Sequence, residues 1–298
     1  MINWKQKINY SFGYNVSPEL SILKLFLIKV NILVIFLSKL IREFYYQNYF
    51  SYTIRYLKNK GSEKTCIVMG NGPSLNKTRN IIDRILLNEK VEIIAVNQFP
   101  LTKDAETWKP TYLILSDPDS KPDSKKDFTI RLWQWIILNP DTKIIVPSEW
   151  SKSVKMKLGN ETPNNVYFFC NLSLYGFTSN INPIFPRGYT SLTAYVGLAV
   201  ANYLNFSKIY ISGMDSDQFK YVIVNRENKM ISKPNYFDEN AISEEILLNE
   251  LYSQGIGGYL YGSSASILSM RKCFSKISIY NLDPNSLLDF FPKLRELE

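Results

Sequence analysis

From Thr65 onward the chain alternates short apolar runs with amphipathic stretches. The apolar runs Cys66–Met69, Glu92–Val96, Tyr112–Leu115, Lys143–Val146, Val166–Phe169, Lys208–Ile211 and Lys276–Tyr280 have the length and β-branched or aromatic character of buried strands. Between them Lys77–Leu87, Asp127–Leu138, Ser151–Leu158, Ser191–Leu204, Ile242–Tyr252 and Ile267–Phe274 carry helical spacing. Strands separated by helices and bounded by Gly, Asn and Pro turns predict an α/β fold: a Rossmann-like, doubly wound, mainly parallel sheet. Ligands of such sheets bind beyond the carboxyl ends of the strands.

The segment before residue 65 is patterned differently. Residues 20–41, LSILKLFLIKVNILVIFLSKLI, are strongly apolar, yet Lys24, Lys29, Asn31 and Lys39 interrupt them. No unbroken run approaches the roughly 20 residues that span a bilayer. On a helix, Lys24, Asn31, Ser38, Lys39 and Arg42 fall on one side, with Phe26, Leu33 and Phe36 across from them. An apolar face with a basic stripe suits a helix lying in a membrane interface, and Lys29 can snorkel. Aromatics follow at once, from Phe44 to Tyr56, with Arg55, Lys58 and Lys60 among them. A helical hairpin packed on the main domain, or an oligomer contact, is the alternative. The expected division is therefore a basic amphipathic segment, 1–64, and an α/β domain, 65–298.

Charge sharpens the division. Residues 1–64 hold ten Lys/Arg against three acids, a net +7 out of +8 for the 298-residue chain. A nucleic-acid enzyme would carry its basic patch on the folded domain, so no nucleic-acid partner is expected. No small-residue cleavage site follows the apolar stretch, and the three cysteines lie far apart without a CxxC pair. A reducing compartment is expected, with peripheral attachment to a membrane surface. There is no histidine. That excludes Ser-His-Asp and Cys-His catalysis and any imidazole base.

Candidate chemistry gathers at the strand ends. Gly70-Asn71-Gly72-Pro73-Ser74-Leu75 follows the first strand; its glycines allow close backbone approach, and Ser74 or Asn76 is placed to cap the next helix, leaving N–H groups for an anion. It lacks the Gly-Lys-Ser/Thr of a Walker A loop and the third glycine of a dinucleotide fingerprint, and a plain tight turn is the other reading. Asn97-Gln98-Phe99 offers amides and a stacking face, or a satisfied turn. Ser116-Asp117-Pro118-Asp119 is either an acidic pair for a divalent metal or a Pro turn with solvated carboxylates. Arg187-Gly188-Tyr189-Thr190-Ser191 opens a helix beside a fixed cation, and Ser212-Gly213-Met214-Asp215, with Asp217 and Tyr221 beyond, puts carboxylates past the sixth strand.

In this order, and with Asp283-Pro284-Asn285-Ser286-Leu287-Leu288 near the end, the motifs resemble the bacterial sialyltransferases of glycosyltransferase family 42 over roughly residues 65–292. The resemblance implies a single Rossmann-like domain (a GT-A-like variant), here the nucleotide-sugar-binding domain 65–298 with a flexible lid near 220–260, that uses CMP-sialic acid without a required metal or other cofactor; the expected transfer is inverting. It implies that Asn71, Gly72 and Ser74 meet the nucleotide, that Asn97 and Gln98 sit at the donor, and that Thr190 and Ser191 hold the CMP moiety with Arg187 beside them. Pro284, Asn285 and Ser286 fall in a motif near cytosine and ribose; Asp283 lies outside the match. Departures are equally specific. Where the family has a histidine base after glycine, this chain has Tyr261-Gly262-Ser263-Ser264, and Asp117-Pro118 replaces Asn-Pro. Of two tyrosines that steady the leaving phosphate, Tyr221 is the nearest counterpart, with Tyr236 another candidate and Asp217 about where the first would stand.

Asp-Pro is also similar to the flagellin glycosyltransferases that use CMP-pseudaminic or legionaminic acid and to the related archaeal pterin diphosphokinases. The expected function is transfer of an acidic sugar from a CMP-linked donor to a cell-surface glycan or lipid-linked acceptor for capsule or lipopolysaccharide. Asp117 is the first candidate base, then Asp215 or Asp217, and Tyr221 or Ser263 would assist the leaving phosphate. A Mg²⁺-dependent diphosphokinase using Asp117 and Asp119, or an inactive nucleotide-binding scaffold, are the alternatives. Either a monomer or a homo-oligomer fits the sequence.

Overall fold

The computed structural model describes residues 54–159, 165–174, 178–190, 192–232, 246–247 and 255–294, together with scattered positions between 30 and 44. Seven strands form one sheet: β1 Thr65–Met69, β2 Val91–Val96, β3 Tyr112–Ile114, β4 Lys143–Pro147, β5 Val166–Phe169, β6 Lys208–Ser212 and β10 Ile279–Asn281. Their spatial order is β10-β6-β1-β2-β3-β4-β5, and every pairing is parallel. The chain steps outward from β1 to β5, then returns to the other side of β1 to lay down β6 and β10. The order reverses between β1 and β6, which creates a crevice there at the carboxyl ends.

Both faces of this sheet are covered, which is why its strands read as continuous apolar runs rather than alternating ones. Helices α2 (Arg79–Asn88), α3 (Asp127–Leu138) and α4 (Ser151–Leu158) send Ile82, Ile85, Leu132, Trp133, Ile136 and Val154 into one core with Ile67 and Met69 of β1. On the other face, α5 (Thr193–Tyr203) and α6 (Gly255–Phe274) pack Val196, Val200, Met270 and Phe274 against Cys66 and Val68. Right-handed crossovers produce this two-sided covering when the strand order reverses. A four-residue turn of helix, α1 (Ser74–Lys77), precedes α2.

Helix α5 is buried on nearly every side, and its sequence explains how it fits. A Cβ placed on Gly197 would lie 2.9 Å from Cγ1 of Val68, so the missing side chain lets the helix settle onto β1 and β2.

All seven strands expected from the sequence are present, and α3 and α4 have the expected bounds. The differences lie in the last third. Helix α6 begins at Gly255 rather than 267; its Gly-rich first half, GIGGYLYGSS, masks the helical spacing. Within the expected helix 242–252, the described residues Ile246–Leu247 instead form a strand, β9, which joins β7 (Val222–Val224) and β8 (Met230–Ser232) in a small antiparallel sheet. β-Branched pairing there overrides helix propensity. Val222, Met230 and Tyr259 bring that sheet onto α6.

Residues 54–64, counted with the N-terminal segment from sequence, pack on the α/β body. Ile54 and Leu57 are buried in the α5-side core. The Asn59 and Gly61 backbone N–H groups donate to the carbonyls of Tyr203 and Leu204, and Lys64 pairs with Glu92 at 2.6 Å. Among the described residues no helix is long and apolar enough to cross a membrane.

Candidate functional site at the strand-order reversal

The turn after β1 and the turn after β6 interlock. The Gly70 N–H donates to the Ser212 carbonyl at 2.8 Å and the Gly72 N–H to the Gly213 carbonyl at 3.0 Å. Gly213 has φ of +69°, and a Cβ on it would sit 2.5 Å from the Gly70 carbonyl oxygen. A Cβ on Gly72 would fall 1.8 Å from Oδ2 of Asp215. Glycine is thus required at both turns, by backbone conformation at one and by close approach at the other.

The space that Gly72 vacates is filled by the Asp215 carboxylate, which accepts a hydrogen bond from the Ser74 backbone N–H at 3.3 Å. Burial pushes the Asp215 carboxyl above its ordinary range, hydrogen bonds from Ser74 oppose this, and the nearby acids Asp217 and Asp283 push it further up. The turn was expected to offer free N–H groups to an anion. Instead, Ser74 already serves a carboxylate, Pro73 occupies the N-cap, and no side chain caps α1. A hydroxyl or amine donor is therefore a better match to Asp215 than a second anion.

Beside this junction lies a polar floor. Asn97, at the end of β2, adopts φ of +49°, a conformation that asparagine tolerates better than most residues. Its Nδ2 donates to Oγ1 of Thr193 at 3.2 Å, and Thr193 Oγ1 lies 2.7 Å from the Ser116 hydroxyl at the end of β3. Asn71 Nδ2 donates to the Val96 carbonyl at 3.3 Å. Among the described residues the amide oxygens of both Asn71 and Asn97 are buried without a hydrogen-bond partner. Two such acceptors at adjacent strand ends are costly unless a donor-bearing ligand meets them. Gln98 follows in the same turn and is half-buried.

The other sequence candidates divide between the crevice and structural tasks. Thr190 touches α6: its hydroxyl lies 2.9 Å from that of Ser266, and its N–H donates to Ser269 Oγ at 3.3 Å. Ser266 in turn donates to the buried Tyr195 hydroxyl at 3.4 Å, linking α5 and α6. Ser263, one turn earlier, donates to the Tyr259 carbonyl. Asp217 pairs with Lys220, and half-buried Tyr221 ends the short 3₁₀ turn Gln218–Tyr221. Ser191 lies outside the described residues, as does Tyr236.

Arg187 is only 4% exposed, and its guanidinium donates to the backbone carbonyl and side-chain oxygen of Asn171 and lies over Tyr189. Burial lowers its pKa from the ordinary value. It ties down the loop after β5, while its Nε is buried without a hydrogen-bond partner among the described residues. Asp117 accepts from the Asp119 backbone N–H at 3.0 Å and caps a short 3₁₀ turn, while Asp119 pairs with Lys126 at 2.6 Å. Asp117 is half-buried and Asp119 exposed.

Pro284 and Asn285 form an exposed turn, and the Ser286 hydroxyl accepts from the Leu288 N–H. Asp283, set aside in the sequence comparison, is the residue that reasoning missed. It is 3% exposed at the end of β10, accepts from the Asn285 N–H at 2.9 Å, and adds its charge to that around Asp215. The available signal was an acid placed directly after an apolar strand, as at Asp117. No protein-family model and no curated protein matches the chain.

Proposed function

We propose that the chain is an inverting glycosyltransferase that moves an acidic sugar, sialic acid or a related nonulosonate, from a CMP-linked donor to a hydroxyl of a surface glycan or lipid-linked acceptor. The support comes from the β1/β6 crevice, where the 70–74 turn, the unsatisfied Asn71 and Asn97 amide oxygens and the half-buried Asp215 carboxylate converge. Sugar, ribose and cytosine groups supply the hydroxyl and amine donors that such acceptors require. On this assignment the domain is a Rossmann-like, GT-A-like variant, and the small β7-β8-β9 sheet on α6 belongs to its lid.

In the proposed reaction the acceptor hydroxyl loses its proton to a carboxylate as its oxygen bonds the anomeric carbon. The bond to phosphate breaks with its electron pair, and CMP departs. Asp215 replaces Asp117 as the preferred base, because burial lifts its carboxyl toward neutrality while Asp117 caps its own turn. Tyr221, from the lid, is the proposed donor to the departing phosphate, joined by Ser263 of α6 once its hydroxyl turns away from the Tyr259 carbonyl.

Calorimetric titration with CMP, CDP, UMP, GDP and ATP, each with and without Mg²⁺, tests the proposal. Metal-independent preference for CMP supports it. Mg²⁺-dependent preference for ATP replaces it with the diphosphokinase, and nucleotide binding without any transfer from CMP-linked donors replaces it with the inactive scaffold.

A further inference from the structure

The N-terminal helix carries an apolar stripe that the α/β body leaves open. The eight described residues between 30 and 44 are all helical. Val30, Leu33, Val34, Leu37 and Ile41 stand at offsets 0, 3, 4, 7 and 11, which places them within an arc of roughly 100°. They are 41, 55, 59, 46 and 72% exposed. One exposed aliphatic residue is ordinary; five in a continuous stripe mark a surface that is covered in function.

Charge identifies what covers it. Between residues 20 and 60 the sequence carries Lys24, Lys29, Lys39, Arg42, Arg55, Lys58 and Lys60. Residues 1–64 carry a net +7, and Glu43 is the one acid between 20 and 60. At the junction with the body, Arg55, Tyr56, Lys58 and Lys60 are exposed on a segment fixed by the burial of Ile54 and Leu57. A second copy of the chain would bring the same positive segment against itself. An anionic bilayer surface instead accepts the aliphatic stripe into its interface and the Lys and Arg groups at its headgroups.

We infer that this helix docks the protein on an anionic membrane surface, through Val30, Leu33, Val34, Leu37 and Ile41. The inference is independent of the chemistry at the β1/β6 crevice.

Flotation of the full chain with vesicles tests it. The expected result is capture by phosphatidylglycerol/phosphatidylethanolamine vesicles, weakened by added salt, and little capture by phosphatidylcholine alone. The double variant Leu33→Glu/Leu37→Glu is expected to reduce capture by about tenfold or more, while Ile137→Glu, at an exposed position of α3, leaves it unchanged. Circular dichroism and thermal unfolding establish that both variants fold. Equal capture of the double variant, or capture indifferent to vesicle charge, would overturn the inference. So would a dimer in sedimentation that the same double variant dissociates, in a chain that vesicles do not capture.

Discussion

The Ser74 backbone N–H donates to the Asp215 carboxylate at 3.3 Å, joining residues 141 positions apart beyond the carboxyl ends of β1 and β6. The contact holds a carboxylate where burial and neighbouring acids disfavour its charge. A group kept in such a place is a cost to the folded state unless function uses it.

Replacing Asp215 by Asn keeps an acceptor for Ser74 and removes the ionisation. Because the folded pKa is raised, the folded state holds this proton more tightly than the unfolded chain, and ionisation costs stability as pH rises from the unfolded value through the folded one. The variant is therefore expected to melt higher than the parent at neutral pH, with the gap closing below the pKa of an unfolded aspartate. Thermal melts across pH check this. Transfer from a CMP-linked donor should fall by about a hundredfold or more, whereas Asp117→Asn should retain most of it.

At Gly72, alanine would place a methyl carbon 1.8 Å from Asp215 Oδ2 and 2.8 Å from the Gly213 carbonyl. Displacing both should cost about 1–3 kcal/mol and weaken nucleotide binding. Denaturant titration and calorimetry on one preparation separate the two effects.

The Arg187 guanidinium bonds Asn171 inside the loop after β5. Arg187→Ala is expected to destabilise the fold by about 2–4 kcal/mol, through lost hydrogen bonds and a cavity. If the side chain only organises that loop, nucleotide affinity of the folded variant stays near the parent value, which equilibrium binding at low temperature measures.

Gly197→Val would drive a branched side chain into Val68 beneath α5. A loss of about 2 kcal/mol or more is expected in chemical unfolding, with Gly197→Ala milder because the Val68 contact is to a side chain.

Much of this architecture was legible in the sequence because doubly covered strands leave unbroken apolar runs. Ile67-Val68-Met69 and Ile144-Ile145-Val146 announce themselves without help from their partners. The strand-end turns were equally visible, since Gly70, Asn97 and Gly213 mark positions where the backbone turns sharply. The uses of individual side chains were not. Whether Ser74 faces a phosphate or Asp215, and whether Arg187 faces a ligand or Asn171, depends on segments more than ten residues away meeting at one point. Local pattern also misjudged 246–247, where pairing with β8 decides the conformation, and the Gly-rich start of α6.

The return of the chain from β5 to β6 has a kinetic meaning as well. Strands β1 to β5 pair with sequence neighbours, so that half can form by successive short crossovers. The Gly70–Gly213 junction must wait for β6 to arrive on the far side of β1, and contacts closed over such separations are late in folding. Gly213→Ala should accordingly accelerate unfolding in stopped-flow measurements and leave the refolding rate nearly unchanged. The crevice would then assemble only after β1 to β5, once β6 has arrived, so a nascent chain acquires its binding site only when the C-terminal third is available.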